Sequence, residues 1–163
     1  LPILAVTGDA YDAIPVTIPS TITGVALKAA NAAIPVWRSS VRLYDRSMQN
    51  PNDDWDGKMR KFVADPAAIS QLSLVAAFAK DGVHQIGETG YAAKIIAAKE
   101  HNVQIRACVD IAQVDVVNSV GVSISESSAP SRFYREFNLD FYSNAGHVWL
   151  MNLITTPKPV EPC

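Results

Sequence analysis

The residues best suited to chemistry begin at Asn52. In Asn52-Asp53-Asp54-Trp55-Asp56-Gly57, the side chains of Asn52, Asp54 and Asp56 fall on alternate positions before a glycine. That matches the first three oxygen ligands and the sharp turn of a calcium loop. The twelfth position of such a loop supplies a bidentate carboxylate, and here it is Val63. Lys58, Arg60 and Lys61 follow directly and oppose a cation. The stretch reads as a solvated acidic turn, with Asn52, Asp54 and Asp56 as its metal candidates.

Proton transfer is the second chemistry to consider. His84, His101 and His147 lie far apart in the chain, unlike the two histidines four apart that place zinc ligands on one helix face. A histidine titrates near neutral pH and works as a general acid or base when a carboxylate is within reach. His84 with Glu88, and His101 beside Glu100, offer such pairs. Glu136 and Asp140 share one strand face with Cα atoms about 13 Å apart, within side-chain reach of an inverting glycosidase spacing. The catalytic candidates are therefore His84, Glu88, His101, Glu136 and Asp140, and solvated surface roles explain them without catalysis. Ser125 to Ser128 has no glycine elbow and reads as a loop. Gly87-Glu88-Thr89-Gly90 could present N–H groups to an anion but lacks a following Lys-Ser/Thr. No motif calls for a cofactor.

Two cysteines, Cys108 and Cys163, are a disulfide candidate. Such a bridge would close a loop of about 55 residues, on the order of 3–4 kcal/mol in the chain-entropy picture. Two free thiols in a reducing compartment are the alternative. The chain opens with Leu1 rather than Met, which reads as a processed product or excised domain and makes secretion reasonable. Trp55 and Tyr134 are the aromatics expected at the surface, as contacts for a partner.

Charged residues make up only 18% of the 163 residues, below the usual quarter. Either uncharged polar side chains dress the exterior or a partner covers part of it. The 14 Lys and Arg are scattered, and the densest group sits beside Asp53, Asp54 and Asp56. That argues against nucleic acid, which selects a basic stripe. Apolar runs such as Leu74–Ala79 fall far short of the ~20 residues of a membrane span.

The elements that must position these residues follow from periodicity. Ile3–Val6 reads as a short strand, and Pro15 and Pro19 bracket an edge strand at Val16–Ile18. Ser20 or Thr21 would cap an Ala-rich helix that Pro35 stops near Ala33, followed by a strand over Val36–Tyr44. Asp65-Pro66 opens a helix over about 66–80, stopped by Gly82. A second middle helix is expected over about 89–101. Alternating apolar and polar residues then give strands over about 103–113, 119–125, 132–142 and 147–155, the last apolar on both faces and so expected at the centre. Arg135 falls on the apolar side of its strand, so that strand begins near an edge or covers the arginine's stem there. Ser143–Gly146 reads as a hairpin connection.

The expectation is one α+β domain over 1–163: a mainly antiparallel sheet of these strands and the N-terminal ones, covered on one face by helices 66–80 and 89–101. Its expected function is a non-enzymatic interaction or self-assembling structural subunit, secreted or surface-exposed, with a protein partner or a second copy. The alternative is a small secreted hydrolase whose histidine and carboxylate are brought together by the fold.

Overall fold

A computed structural model describes residues 9–126 and 130–163, and the α+β class holds. The strand expected over Ile3–Val6 and the middle of the serine-rich loop lie outside the described residues. Helix α1, Gly24–Gln49, is the longest element. Ala30, Ala33, Ile34, Trp37 and Val41 recur at three- and four-residue steps and are all buried. That stripe is what an amphipathic helix lays on a sheet. The expected stop at Pro35 and the strand over Val36–Tyr44 are therefore corrected: Pro35 lies inside α1. Its ring is exposed, and so is Asn31, whose carbonyl loses its helical donor on the side where water replaces it.

Helix α2 is the single turn Asp56–Met59, and helix α3 spans Ala67–Asp81. Gly82 ends α3 in the left-handed region at φ 66°. Pro66 rather than Asp65 takes the cap position; the Asp65 carboxylate pairs instead with Arg60 at 3.0 Å.

Among the described residues seven strands follow in chain order: β1 Val16–Thr17, β2 Val83–Ile86, β3 Gly90–Lys99, β4 Asn102–Asp110, β5 Asp115–Asn118, β6 Arg132–Tyr142 and β7 Val148–Thr155. The main sheet runs β1-β3-β4-β6-β7, and β2-β5 form a second small sheet. All pairings are antiparallel except β1 with β3, which places the proline-bracketed segment at a sheet edge as expected.

The helix expected over 89–101 is a second correction, because this segment is strand β3. Alanine and lysine are at home in helices, yet Ala93 pairs with Ala107 and Ile95 with Ile105 along β4. Without β3, one whole edge of the buried β4 would leave its N–H and C=O groups unpaired. The strand expected over 119–125 is displaced to β5, and the chain turns back at Gly121, leaving Val120, Val122 and Ile124 exposed.

β7 is a sheet edge, not the centre; β4 holds the middle position. The β7 edge is closed by the segment after α2: Met151 N–H donates to the Phe62 carbonyl at 2.9 Å, and Ala64 N–H donates to the Met151 carbonyl at 2.8 Å.

The core lies on one side of the main sheet, between it and α1. Ile95, Val103, Ile105, Phe137, Leu139 and Met151 meet Ala30, Ala33, Trp37 and Val41 there. Trp37 stands edge-on to Tyr91 and Phe137, with ring centroids 5.9 and 5.7 Å away. Among the described residues no helix packs on the opposite sheet face. Cys108 on that face is bridged to Cys163, with Cα atoms 5.8 Å apart, so the tail is tied back onto the sheet.

Candidate functional site

The uncovered face is built from the even-numbered positions of β4 and β6, which the pleat turns away from the helices. In register across the two strands stand Asn102 with Asp140, Gln104 with Asn138, Arg106 with Glu136, and Cys108 with Tyr134. A lattice of side-chain hydrogen bonds fixes one end. Asn102 Nδ2 donates to Asn138 Oδ1 at 2.8 Å and to Asp140 Oδ1 at 2.6 Å. Asn138 Nδ2 donates to Asn152 Oδ1 at 2.8 Å, and Asn152 Nδ2 donates to Asp140 Oδ2 at 2.6 Å and to the Tyr142 hydroxyl at 2.9 Å. Asn152 joins because β7 bulges there: Asn138 pairs with Leu153 while Leu139 pairs with Met151.

Arg106 organises the other end. Its guanidinium lies 4.2 Å from the centre of the Tyr134 ring, 2.6 Å from Glu161 and 3.7 Å from Glu136. Ile96 at the bulge of β3 and Leu153 on β7 are exposed on the two flanks. Side chains held this way lose little further freedom when a partner arrives.

The catalytic candidates are spread over β2, the loop after it, the β3–β4 turn and β6. His84 is half-buried on β2, lining an open groove of about 440 Å³ with Asn52 and Asp53. Glu88 pairs with Arg46 at 3.1 Å. His101 is exposed at the β3–β4 turn and stacks on Phe141, with centroids 5.5 Å apart. Glu136 and Asp140 belong to the uncovered face just described. Among the described residues no hydrogen bond or ion pair joins a histidine to a carboxylate. Of the metal candidates, Asp56 pairs with Arg60 at 3.0 Å, while Asn52 and Asp54 are exposed. No group of three or more His, Cys, Asp or Glu gathers at metal-binding distance among the described residues.

The two aromatic candidates part company. Trp55 was expected at the surface but is only 8% exposed, its indole N–H donating to the Asn50 carbonyl at 2.8 Å. It packs with Met48 and Val75, because α2 folds the acidic loop back against α1 and α3. Tyr134 is half-buried beneath Arg106 on the uncovered face.

One polar cluster was not expected at all. Asp45 on α1 is 0% exposed, and its carboxylate accepts from the Tyr11 hydroxyl, Gln85 Nε2 at 3.1 Å, Thr89 N–H at 2.7 Å and Thr89 Oγ1 at 2.7 Å. Burial, and then the bond to Asp45, push the Tyr11 pKa well above its ordinary value, so the hydroxyl stays protonated. The β2–β3 loop reaches Asp45 through Gly87, at φ 78°, where a Cβ would stand 1.8 Å from the Gln113 carbonyl oxygen. The cluster ties together the N-terminal helical turn Ala10–Ala13, α1, β2 and the loop leading into β3.

Arg106, Asn102, Asn138, Asn152 and Tyr142 are not among the site candidates the sequence offers, although a polar stripe of period two on two consecutive strands is visible there. Asp45 carries no such signal; its partners come from 34 to 44 residues away.

No family model and no curated protein matches this chain. Among solved structures, the solution NMR structure of a de novo beta sheet design protein is similar at 13% identity, over 85% of this chain and 88% of that one. Its TM-score of 0.30 carries no argument about fold or function.

Proposed function

We propose that this protein is a non-enzymatic interaction module, secreted or surface-exposed, that assembles with a second copy of itself through the uncovered sheet face. The observation that carries this is the self-complementary register of that face. A two-fold axis lying in the face, parallel to the strands and midway between β4 and β6, exchanges β4 with β6 and β3 with β7. Arg106 then stands over the partner's Glu136, Asn102 over the partner's Asp140, Gln104 over the partner's Asn138, and Ile96 over the partner's Leu153. Within these pairs opposite charges meet, amides meet amides or a carboxylate, and the exposed apolar pair is covered.

The area suits this occupant. Four strands ~4.8 Å apart and about nine residues long give a face of roughly 20 by 30 Å, packed ~10 Å from its copy. That is on the order of 600 Å² per copy, near the ~800 Å² a side of a standard interface. The low charge of the chain and the Cys108–Cys163 bridge support the same reading, the bridge because disulfides persist in oxidising compartments.

Charge exchange tests it. Sedimentation of the wild-type chain should give twice the 17.6 kDa monomer mass. Arg106→Glu and Glu136→Arg should each be folded and monomeric, since each sets like charges against one another in the homodimer. Mixed in equal amounts, the two variants should pair, because both contacts then become complementary. A monomeric wild-type chain, or a mixture that stays monomeric, overturns self-assembly. Hydrolysis of an ester, amide or glycoside that disappears in both His84→Ala and Glu136→Gln would replace this function with the hydrolase.

A further inference from the structure

On the helix side of the sheet, at the β7 edge where Leu153 adjoins the face just described, a groove of about 230 Å³ opens between α1, α3 and the ends of β6 and β7. Tyr44, Gln71, Leu74, Arg135, Ile154 and Thr156 line it. Arg135 is the cation on the apolar side of β6, opposite Ala107 and beyond the last β6–β7 pair, Glu136 with Thr155. Its Nε donates to Thr156 Oγ1 at 3.3 Å, and its guanidinium lies 5.2 Å from the centre of the Phe133 ring. Among the described residues no carboxylate stands within ion-pair distance of it.

Gln71 is the second incomplete group. It is 3% exposed, and neither the nitrogen nor the oxygen of its amide has a hydrogen-bond partner among the described residues. A buried polar group left so destabilises the fold, because it has given up water and gained no partner. Tyr44 stands beside Arg135, and burial raises its pKa, so its hydroxyl remains a donor.

We propose that this groove binds a small carboxylate with a short apolar body. The planar fork of Arg135 takes both carboxylate oxygens, which a guanidinium does better than an ammonium. Tyr44 and Gln71 complete the polar end, and Leu74 and Ile154 pack the body. The volume lies below the ~300 Å³ at which drug-sized sites begin, which restricts the occupant to a short acid or the C-terminal residue of a peptide.

The full-length chain, labelled with nitrogen-15, should be titrated with hexanoate, with neutral hexanamide, and with a short peptide ending in a free C-terminal leucine. Hexanoate should shift the Arg135 Nε and Gln71 side-chain resonances, and hexanamide should bind at least about tenfold more weakly. Tighter binding of the peptide than of hexanoate would assign the carboxylate to a chain terminus, and the reverse to a free acid. Arg135→Gln should lose at least about tenfold in affinity, with Arg135→Lys intermediate because it keeps the charge and loses the fork. Gln71→Leu should raise Tm while weakening hexanoate binding several-fold, a pairing of signs that a purely structural glutamine would not produce. If Arg135→Gln fails to fold, Arg135→Lys and Gln71→Leu decide. Equal affinity for acid and amide, no shift at millimolar hexanoate, or a Gln71→Leu variant that binds as well as wild type overturns the proposal.

Discussion

Asp45 and Gln71 sit on two helices that cover the same sheet, both almost wholly buried, and they are satisfied to opposite degrees. Around Asp45 a hydroxyl, a side-chain amide, a backbone N–H and a threonine hydroxyl all point at one carboxylate. Around Gln71 the described residues offer nothing to either atom of the amide, and the nearby Arg135 has no carboxylate. A buried charge with its donors in place fixes the elements that supply them, because moving any one strands the rest. A buried amide with none weakens the fold, and an arginine beside it gives that weakness a use. The first region is closed around its own chain; the second is complementary to something brought from outside.

The comparison is broken most severely at Asp45. Asp45→Ala removes the common acceptor of four donors, and unfolding in urea should show a loss of about 3–5 kcal/mol. Next comes the loop that delivers Thr89. Gly87→Ala must place a methyl against the Gln113 backbone in a conformation alanine avoids, and it should cost about 2–4 kcal/mol by the same measurement.

Alkaline pH attacks the cluster from its other side. The folded-state pKa of Tyr11 lies above the unfolded value of about 10. Its contribution to stability is whole below that value and is lost as pH climbs through the raised one. The urea midpoint should therefore fall between pH 9 and pH 11, with a smaller fall in Tyr11→Phe. The smallest effect carries the opposite sign. Gln71→Leu removes an unpartnered buried amide and should stabilise by about 1 kcal/mol, read as a rise in Tm. A loss at Gln71 comparable to that at Asp45 would erase the distinction between the two regions.

Much of the sheet was legible in the residues. Arg132–Tyr142 and Val148–Thr155 show their strands because one buried face imposes an alternation of two, and the Ser143–Gly146 turn fits residues that accept positive φ, as Gly146 does at 93°. The displacement of Arg135 onto the apolar side was legible too; that it faces a groove was not. The segment Gly90–Lys99 misled because its alanines and lysines suit a helix, and its strand depends on hydrogen bonds to β4. Likewise the stripe through Ala30, Ile34, Trp37 and Val41 was hidden by a proline that, on an exposed helix face, stops nothing.

By itself the sequence determined the α+β class and the pleated alternation of the C-terminal strands, and it offered Cys108 and Cys163 as a bridge with two free thiols as the alternative. The first two are local properties, because a period is set by neighbours; that the two thiols meet is decided by the fold. Only the tertiary structure decided that Asp45 is saturated while, among the described residues, Gln71 has no hydrogen-bond partner and Arg135 no carboxylate, and that Asn152 joins the lattice on the open face. Hydrogen-bond satisfaction is a property of which distant groups meet, and no spacing along the chain encodes it.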